Sequence, residues 1–126
     1  MRRANILIVE DEVIIADSIK NSLKKHGYRV AYLAASGEKA LQIAEKENPD
    51  LVLMDIVLKG ELDGINAADQ IRKQLGIPVI FLTAYSNNEI FQSAKITEPF
   101  GYITKPFDDK QLVLETFDLI VLKKSA

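Results

Sequence analysis

The chain has 126 residues, enough for one domain with a single core. Its 48% hydrophobic and 27% charged content fits a soluble globular protein, and a formal net charge of -2 argues against a general binder of nucleic acid or anionic membranes. The absence of cysteine excludes disulfides and thiolate catalysis, and a single histidine, His26, excludes a histidine-rich metal site within one chain.

Asn5 to Val9 is a short apolar run that reads as a buried strand, followed at once by Glu10, Asp11 and Glu12. Ile15, Ile19 and Leu23 then recur at every fourth position, as on one helix face, and Gly27 is a stop signal. Tyr28 to Leu33 reads as a second strand. Ser36 can cap a helix carrying Ala40, Leu41 and Ala44 that ends before Asn48-Pro49. Leu51 to Asp55 is a third strand, four apolar residues closed by one carboxylate. A loop containing Gly60 leads to a helix from about Gly64, with Ile65, Ala68, Ile71 and Leu75 inward. Gly76-Ile77-Pro78 breaks that helix, and Val79 to Leu82 is a fourth strand ending at Thr83. A less regular helix is expected from roughly Asn87 to Lys95, a fifth strand over Gly101 to Thr104, and a last helix from about Asp108 to Lys124. His26, near a helix end, is given no catalytic role.

Five strands alternating with five helices imply an α/β fold: a doubly wound (βα)5 parallel sheet, with flavodoxin-like strand order 2-1-3-4-5. In such a sheet the strand ends share one side. Glu10 and Asp11, Asp55, Thr83 and Lys105 therefore converge. Each alone has a plainer reading: a helix cap, a strand-end aspartate in a turn, a strand end, a solvated lysine. Together they bring three carboxylates into one pocket, where they repel unless cations intervene. Lys105 supplies one cation, and a hard divalent ion such as Mg²⁺, which takes oxygen ligands, supplies the other. A Mg²⁺ ion, an ammonium and a hydroxyl around a carboxylate make a phosphoryl-accepting site with Asp55 as nucleophile.

The motifs ILIVEDE, LVLMDI, DGI (Asp63, Gly64), VIFLTA and GYITKPF occur in this order, and the chain resembles a receiver domain of two-component signalling, similar to the chemotaxis response regulator. The resemblance covers Asn5 to about Lys123. It implies phosphorylation of Asp55 from a phosphohistidine on a histidine kinase or histidine phosphotransfer domain. It implies Mg²⁺ bound by Asp11, Asp55 and the backbone carbonyl of Val57, and through water by Glu10. It further implies that Thr83 and Lys105 hold the phosphoryl oxygens, that Tyr102 is the switch aromatic, and that the Lys105-Pro106 bond is cis. Output is then expected through the surface of the last two helices and the fifth strand, to a protein partner or a homodimer. Direct nucleic-acid or membrane binding is not expected.

Several features depart from the family pattern. Lys59 stands where many receivers have proline, and the loop after Asp55 looks one residue longer. Val57 and Tyr85 flank the family's path for hydrolytic water; valine cannot orient water and tyrosine can shield the site, so self-dephosphorylation is expected to be slow. Leu114, Leu119, Val121 and Leu122, with Ile90 and Phe91, read either as deep core or as an interface. Val13 and Ile14 fit a docking spot for a kinase helix, although half or more of such residues are simply core.

Competing readings remain. A flavodoxin-like cofactor carrier needs amide-donating phosphate loops where Glu10-Asp11-Glu12 stand. An aspartate-based phosphatase needs a second acid where Val57 stands. A receiver-shaped scaffold without phosphorylation, and a receiver excised from a longer kinase or regulator, are the others. No conventional enzyme activity is expected beyond assisting its own aspartyl phosphorylation and slow dephosphorylation. No apolar run approaches the roughly 18 residues of a membrane span, and no long signal-peptide core follows Met1-Arg2-Arg3-Ala4-Asn5. The expectation is a cytoplasmic single receiver domain over residues 1–126 with no output domain.

Overall fold

The computed structural model describes residues 5–55, 64–84 and 101–105, with side chains described except at 31, 83, 84 and 101–105. The element order is β1 (Asn5–Val9), α1 (Val13–Lys25), β2 (Arg29–Ala34), α2 (Gly37–Glu47), β3 (Leu51–Asp55), α3 (Gly64–Gln70, continuing as a π-helical turn over Ile71–Leu75), β4 (Val79–Ala84) and β5 (Gly101–Lys105). All pairings are parallel, and the strand order is β2-β1-β3-β4-β5, as the alternation of elements predicts. The two helices expected near 87–95 and 108–124 lie outside the described residues. Among the described residues no helix is long and apolar enough to cross a membrane.

The central strand β3 is buried at all five positions, which is why its sequence is a continuous apolar run without alternation. Its side chains alternate between two cores. Val52 and Met54 join Leu7, Val9, Val79 and Phe81 against Ala40 and Ala44 of α2 and Ala67, Ala68 and Ile71 of α3. Leu51 and Leu53 join Ile6, Ile8, Ile80 and Leu82 against Ile19 and Leu23 of α1. Alanines on α2 and α3 allow those helices to sit close to each other and to the sheet. At the N-terminal edge of the sheet, the Asn5 backbone N–H donates to Asp50 Oδ2 at 2.8 Å, while the Asp50 N–H donates to the Asn5 carbonyl at 2.8 Å. This reciprocal pair ties β1 to β3 at the edge opposite the carboxylates.

Four element ends differ from expectation: both ends of β2, which runs Arg29–Ala34, and the C-terminal ends of β4 and β5. β2 begins at Arg29, not Tyr28, because Tyr28 belongs to the termination of α1. Gly27 takes φ +94°, its N–H donates to the Lys24 carbonyl, and the Tyr28 N–H reaches back to Leu23 at 3.0 Å. Tyr28 then packs on the same core as Leu23, which completes a Schellman-type stop. β2 also carries one extra residue against β1: Asn5 pairs with Arg29 but Leu7 pairs with Tyr32. That bulge turns Val30 toward the α1 core and Tyr32 toward the α2 core. β4 and β5 each run further than expected, to Ala84 and Lys105, because the ladder continues through Thr83–Thr104 and Ala84–Lys105.

Candidate functional site

β1 and β3 pair with Val9 opposite Met54, so the residue after each pair, Glu10 and Asp55, falls at the same C-terminal edge. The ladder does not stop at Val9, since the Glu10 N–H donates to the Ala34 carbonyl at 2.9 Å. By strand alternation Glu10 continues the face of Ile6 and Ile8, and Asp55 continues that of Leu51 and Leu53. Both carboxylates are therefore buried, with Glu10 4% and Asp55 7% exposed, while Asp11 in the turn before α1 is half-buried. Carboxylate oxygens of Glu10, Asp11 and Asp55 all lie within 4.8 Å of one another.

This donor set fits a hard divalent cation. It offers oxygens alone, and its span suits an ion that takes one or two carboxylates directly and keeps water on its remaining positions. A cation there offsets the mutual repulsion of three acids drawn partly out of water. Asp55 projects from the end of the central strand, where open parallel sheets place their ligand crevice.

Thr83 and Lys105 are described as backbone only. Asp55 pairs with Leu82, the next residue on β4 is Thr83, and Lys105 ends β5 opposite Ala84. Both backbones thus reach the edge that carries the acids. Tyr102, expected as the switch aromatic, pairs with Phe81 on β5, again as backbone. Val57, Lys59, Asp63, Tyr85 and Pro106 lie outside the described residues, and with Pro106 the Lys105-Pro106 bond. Sequence reasoning missed the anchoring of Glu10 by Ala34, which has no signature because a main-chain acceptor can be any residue. Glu12 stands at the N-cap of α1 without a side-chain capping bond.

Val13 and Ile14, which the sequence leaves open between docking residues and core, are 70% and 85% exposed at the start of α1. His26 caps the end of the same helix, with Nδ1 3.0 Å from the Ser22 carbonyl. A carbonyl only accepts, so Nδ1 carries the proton. That bond occupies His26 in a terminal contact far along α1 from the acids.

Comparison with known proteins agrees with this geometry. Residues 6–117 match the family described as "Response regulator receiver domain". The chain is 34% identical over 108 residues to the transcriptional regulatory protein PdtaR of Mycobacterium tuberculosis (strain CDC 1551 / Oshkosh), covering 86% of this chain and 52% of that protein. It is 39% identical over 112 residues to the transcriptional regulatory protein YvrH of Bacillus subtilis (strain 168), covering 89% and 47%. The chain thus spans about half the length of these curated relatives. Among solved structures, the signal receiver domain of a modulated diguanylate cyclase from Desulfovibrio desulfuricans G20 superimposes with a TM-score of 0.90 at 36% identity, covering 98% of each chain. With the strand order, the acid cluster at the strand ends and a match over most of its length, the chain belongs to the response regulator receiver domain family.

Proposed function

We propose that the protein is a phosphoacceptor switch in which a phosphoryl group passes from a phosphohistidine to Asp55 with Mg²⁺ at the acid cluster. The observation that carries this reading is Asp55 at the end of the central strand, within 4.8 Å of two further carboxylates. In the transfer, an Asp55 carboxylate oxygen bonds to phosphorus as the phosphorus–nitrogen bond breaks, and the departing imidazole keeps the electron pair and takes up a proton. By the family resemblance, Asp11, Asp55 and the backbone carbonyl of Val57, with Glu10 through water, would hold Mg²⁺, which would neutralise charge on the transferring group. Lys105 and Thr83 bind phosphoryl oxygens as ammonium and hydroxyl donors.

Phosphorylation acts by population shift: it favours the arrangement in which Thr83 and Lys105 meet the phosphoryl group, and Tyr102 follows Thr83 inward. Moving such an equilibrium from 1:99 to 99:1 takes about 5.5 kcal/mol of differential interaction, within reach of charge-assisted bonds from two side chains and a metal ion. The output surface is the fifth strand with the segments expected to be the last two helices. Its target is a protein partner or a second copy, and the cell compartment is the cytoplasm. Because the chain spans about half of its curated relatives, the same switch also reads as the receiver unit of a longer regulator.

The test is intact mass after incubation with acetyl phosphate, with and without Mg²⁺, beside Asp55→Asn. A gain of one phosphoryl group, about 80 Da, that needs both Mg²⁺ and Asp55 is the expected outcome. No gain, with BeF₃⁻ also failing to bind, sinks the reading in favour of a receiver-shaped scaffold. The same sample gives the lifetime: Val57 and Tyr85 stand at the sequence positions that in the family flank the path of hydrolytic water, so the label is expected to decay slowly.

A further inference from the structure

α1 turns one stripe of side chains away from the sheet. At about 100° per residue, Ile14, Asp17, Ser18, Lys24 and Lys25 all fall within about 60° of Asn21, and all six residues are exposed. The opposite side of the helix carries the buried Ala16, Ile19 and Leu23. An open groove of about 320 Å³ runs beside the stripe, lined by Ser18, Asn21, Ser22 and Lys25.

Charge on this stripe changes sign at Asn21. Asp17 stands about one turn before it, and Lys24 and Lys25 about one turn after it. Asp17 and Lys24 are two turns apart, about 10.5 Å along the helix, which is too far for them to pair within one chain. Among the described residues none of Asp17, Lys24 and Lys25 makes an ion pair. The helix dipole favours acids early and bases late, but it does not require both on one stripe or an amide between them. Asparagine is a weak helix former, so an exposed one in the interior of α1 does little for the helix itself. Its amide both donates and accepts, and it therefore complements a second copy of itself.

We infer that α1 is the contact of a two-fold symmetric dimer of this chain, with two α1 helices packed antiparallel and crossing at Asn21. The symmetry sets Asp17 of each copy against Lys24 of the other, Ser18 against Lys25, and Asn21 against Asn21. Ile14, 85% exposed, then comes against the end of the other α1, where Gly27 has open space beside it. A parallel pair would instead set Asp17 on Asp17 and lysine on lysine. An unrelated helix has to supply this complement, whereas a second copy already carries it. One helix pair covers less than the about 1,200 Å² of a standard interface, and exposed ion pairs are individually weak, so the expected Kd is roughly 0.1–1 mM. The contact does not involve Asp55. It is therefore independent of phosphorylation and separate from association through the β5 surface.

Analytical ultracentrifugation of the full chain up to about 1 mM tests it, with amide NMR shifts on dilution locating the contact. Self-association is expected, with shifts confined to α1 and the turn after it, and it weakens at least about fivefold between about 50 and about 500 mM salt. Asp17→Lys alone and Lys24→Asp alone each weaken it at least about 10-fold, because each sets like charges together. An equimolar mixture of these two variants associates as the parent does, since an all-basic stripe then meets an all-acidic one; that recovery also shows that both variants fold. A monomer up to about 1 mM, shifts away from α1, indifference to both variants, or a mixture that stays monomeric overturns the inference. So does association that appears only with Mg²⁺ and BeF₃⁻, which belongs to the output surface.

Discussion

Glu10 and Asp11 are neighbours in sequence and differ in depth, because Glu10 is still held in the sheet by Ala34 and Asp11 has left it. Two of the three acids, Glu10 and Asp55, are thus buried within 4.8 Å of one another, where their like charges disfavour each other and a divalent cation would offset that repulsion. Asp55→Asn removes one charge from the cluster. It is expected to raise metal-free stability by about 1 kcal/mol while reducing the stabilisation that added Mg²⁺ brings, which thermal melts with and without Mg²⁺ measure. A second residue-scale effect concerns Tyr32. A hydrogen bond to Glu47 holds its hydroxyl above the usual value of 10.0, helped by burial and by the Glu47 charge and countered by Arg29. Since the protonated form is favoured in the folded state, that contribution is fully present below pH 10 and is lost as pH rises through the folded value. Glu47→Ala is expected to bring the tyrosinate absorbance transition of Tyr32 back toward the ordinary range.

Among the elements, α2 shows how local chemistry sets a boundary. Ser36 has extended backbone and its Oγ accepts the Lys39 N–H at 3.2 Å, while Asn48 closes the other end at φ +48° with its N–H on the Ala44 carbonyl. Ser36→Ala removes one acceptor from an otherwise orphaned donor and is expected to cost about 1 kcal/mol in chemical denaturation, without altering the acid cluster. α3 closes differently: its last turn opens to π geometry over Ile71–Leu75 and ends at Gly76, with φ +68°. Ile71 stays fully buried through that opening, so the turn keeps its core contact while delivering the chain to Ile77 and β4.

The described residues form a sheet with a core on each face and the acid cluster at one edge. Phe81 is fully buried in the core that α2 and α3 cover, and it sits opposite Met54, one residue before Asp55. Phe81→Ala is expected to destabilise the fold by about 3–5 kcal/mol, and, because the cavity opens beside β3, to weaken Mg²⁺ binding as well. Urea unfolding with and without Mg²⁺ separates the two effects.

Among the described residues, strand and helix identities were legible in the sequence because they rest on local rules. The unbroken apolar run of β3, the four-residue recurrence of α1, the cap at Ser36 and the stop before Asn48-Pro49 hold whatever surrounds them. The strand order followed too, since handedness of crossovers leaves few ways to close such a chain, and with it the convergence of Glu10, Asp11 and Asp55. What the tertiary structure alone decided are quantities that depend on a neighbour. The bulge in β2 exists only against β1, and the place of Tyr28 in the α1 terminus only against Leu23. The same holds for the anchoring of Glu10 by Ala34 and for the exposure of Val13 and Ile14, which the sequence left open between core and surface. Periodicity names the face that a residue occupies, but burial and register are set by what packs or pairs across from it.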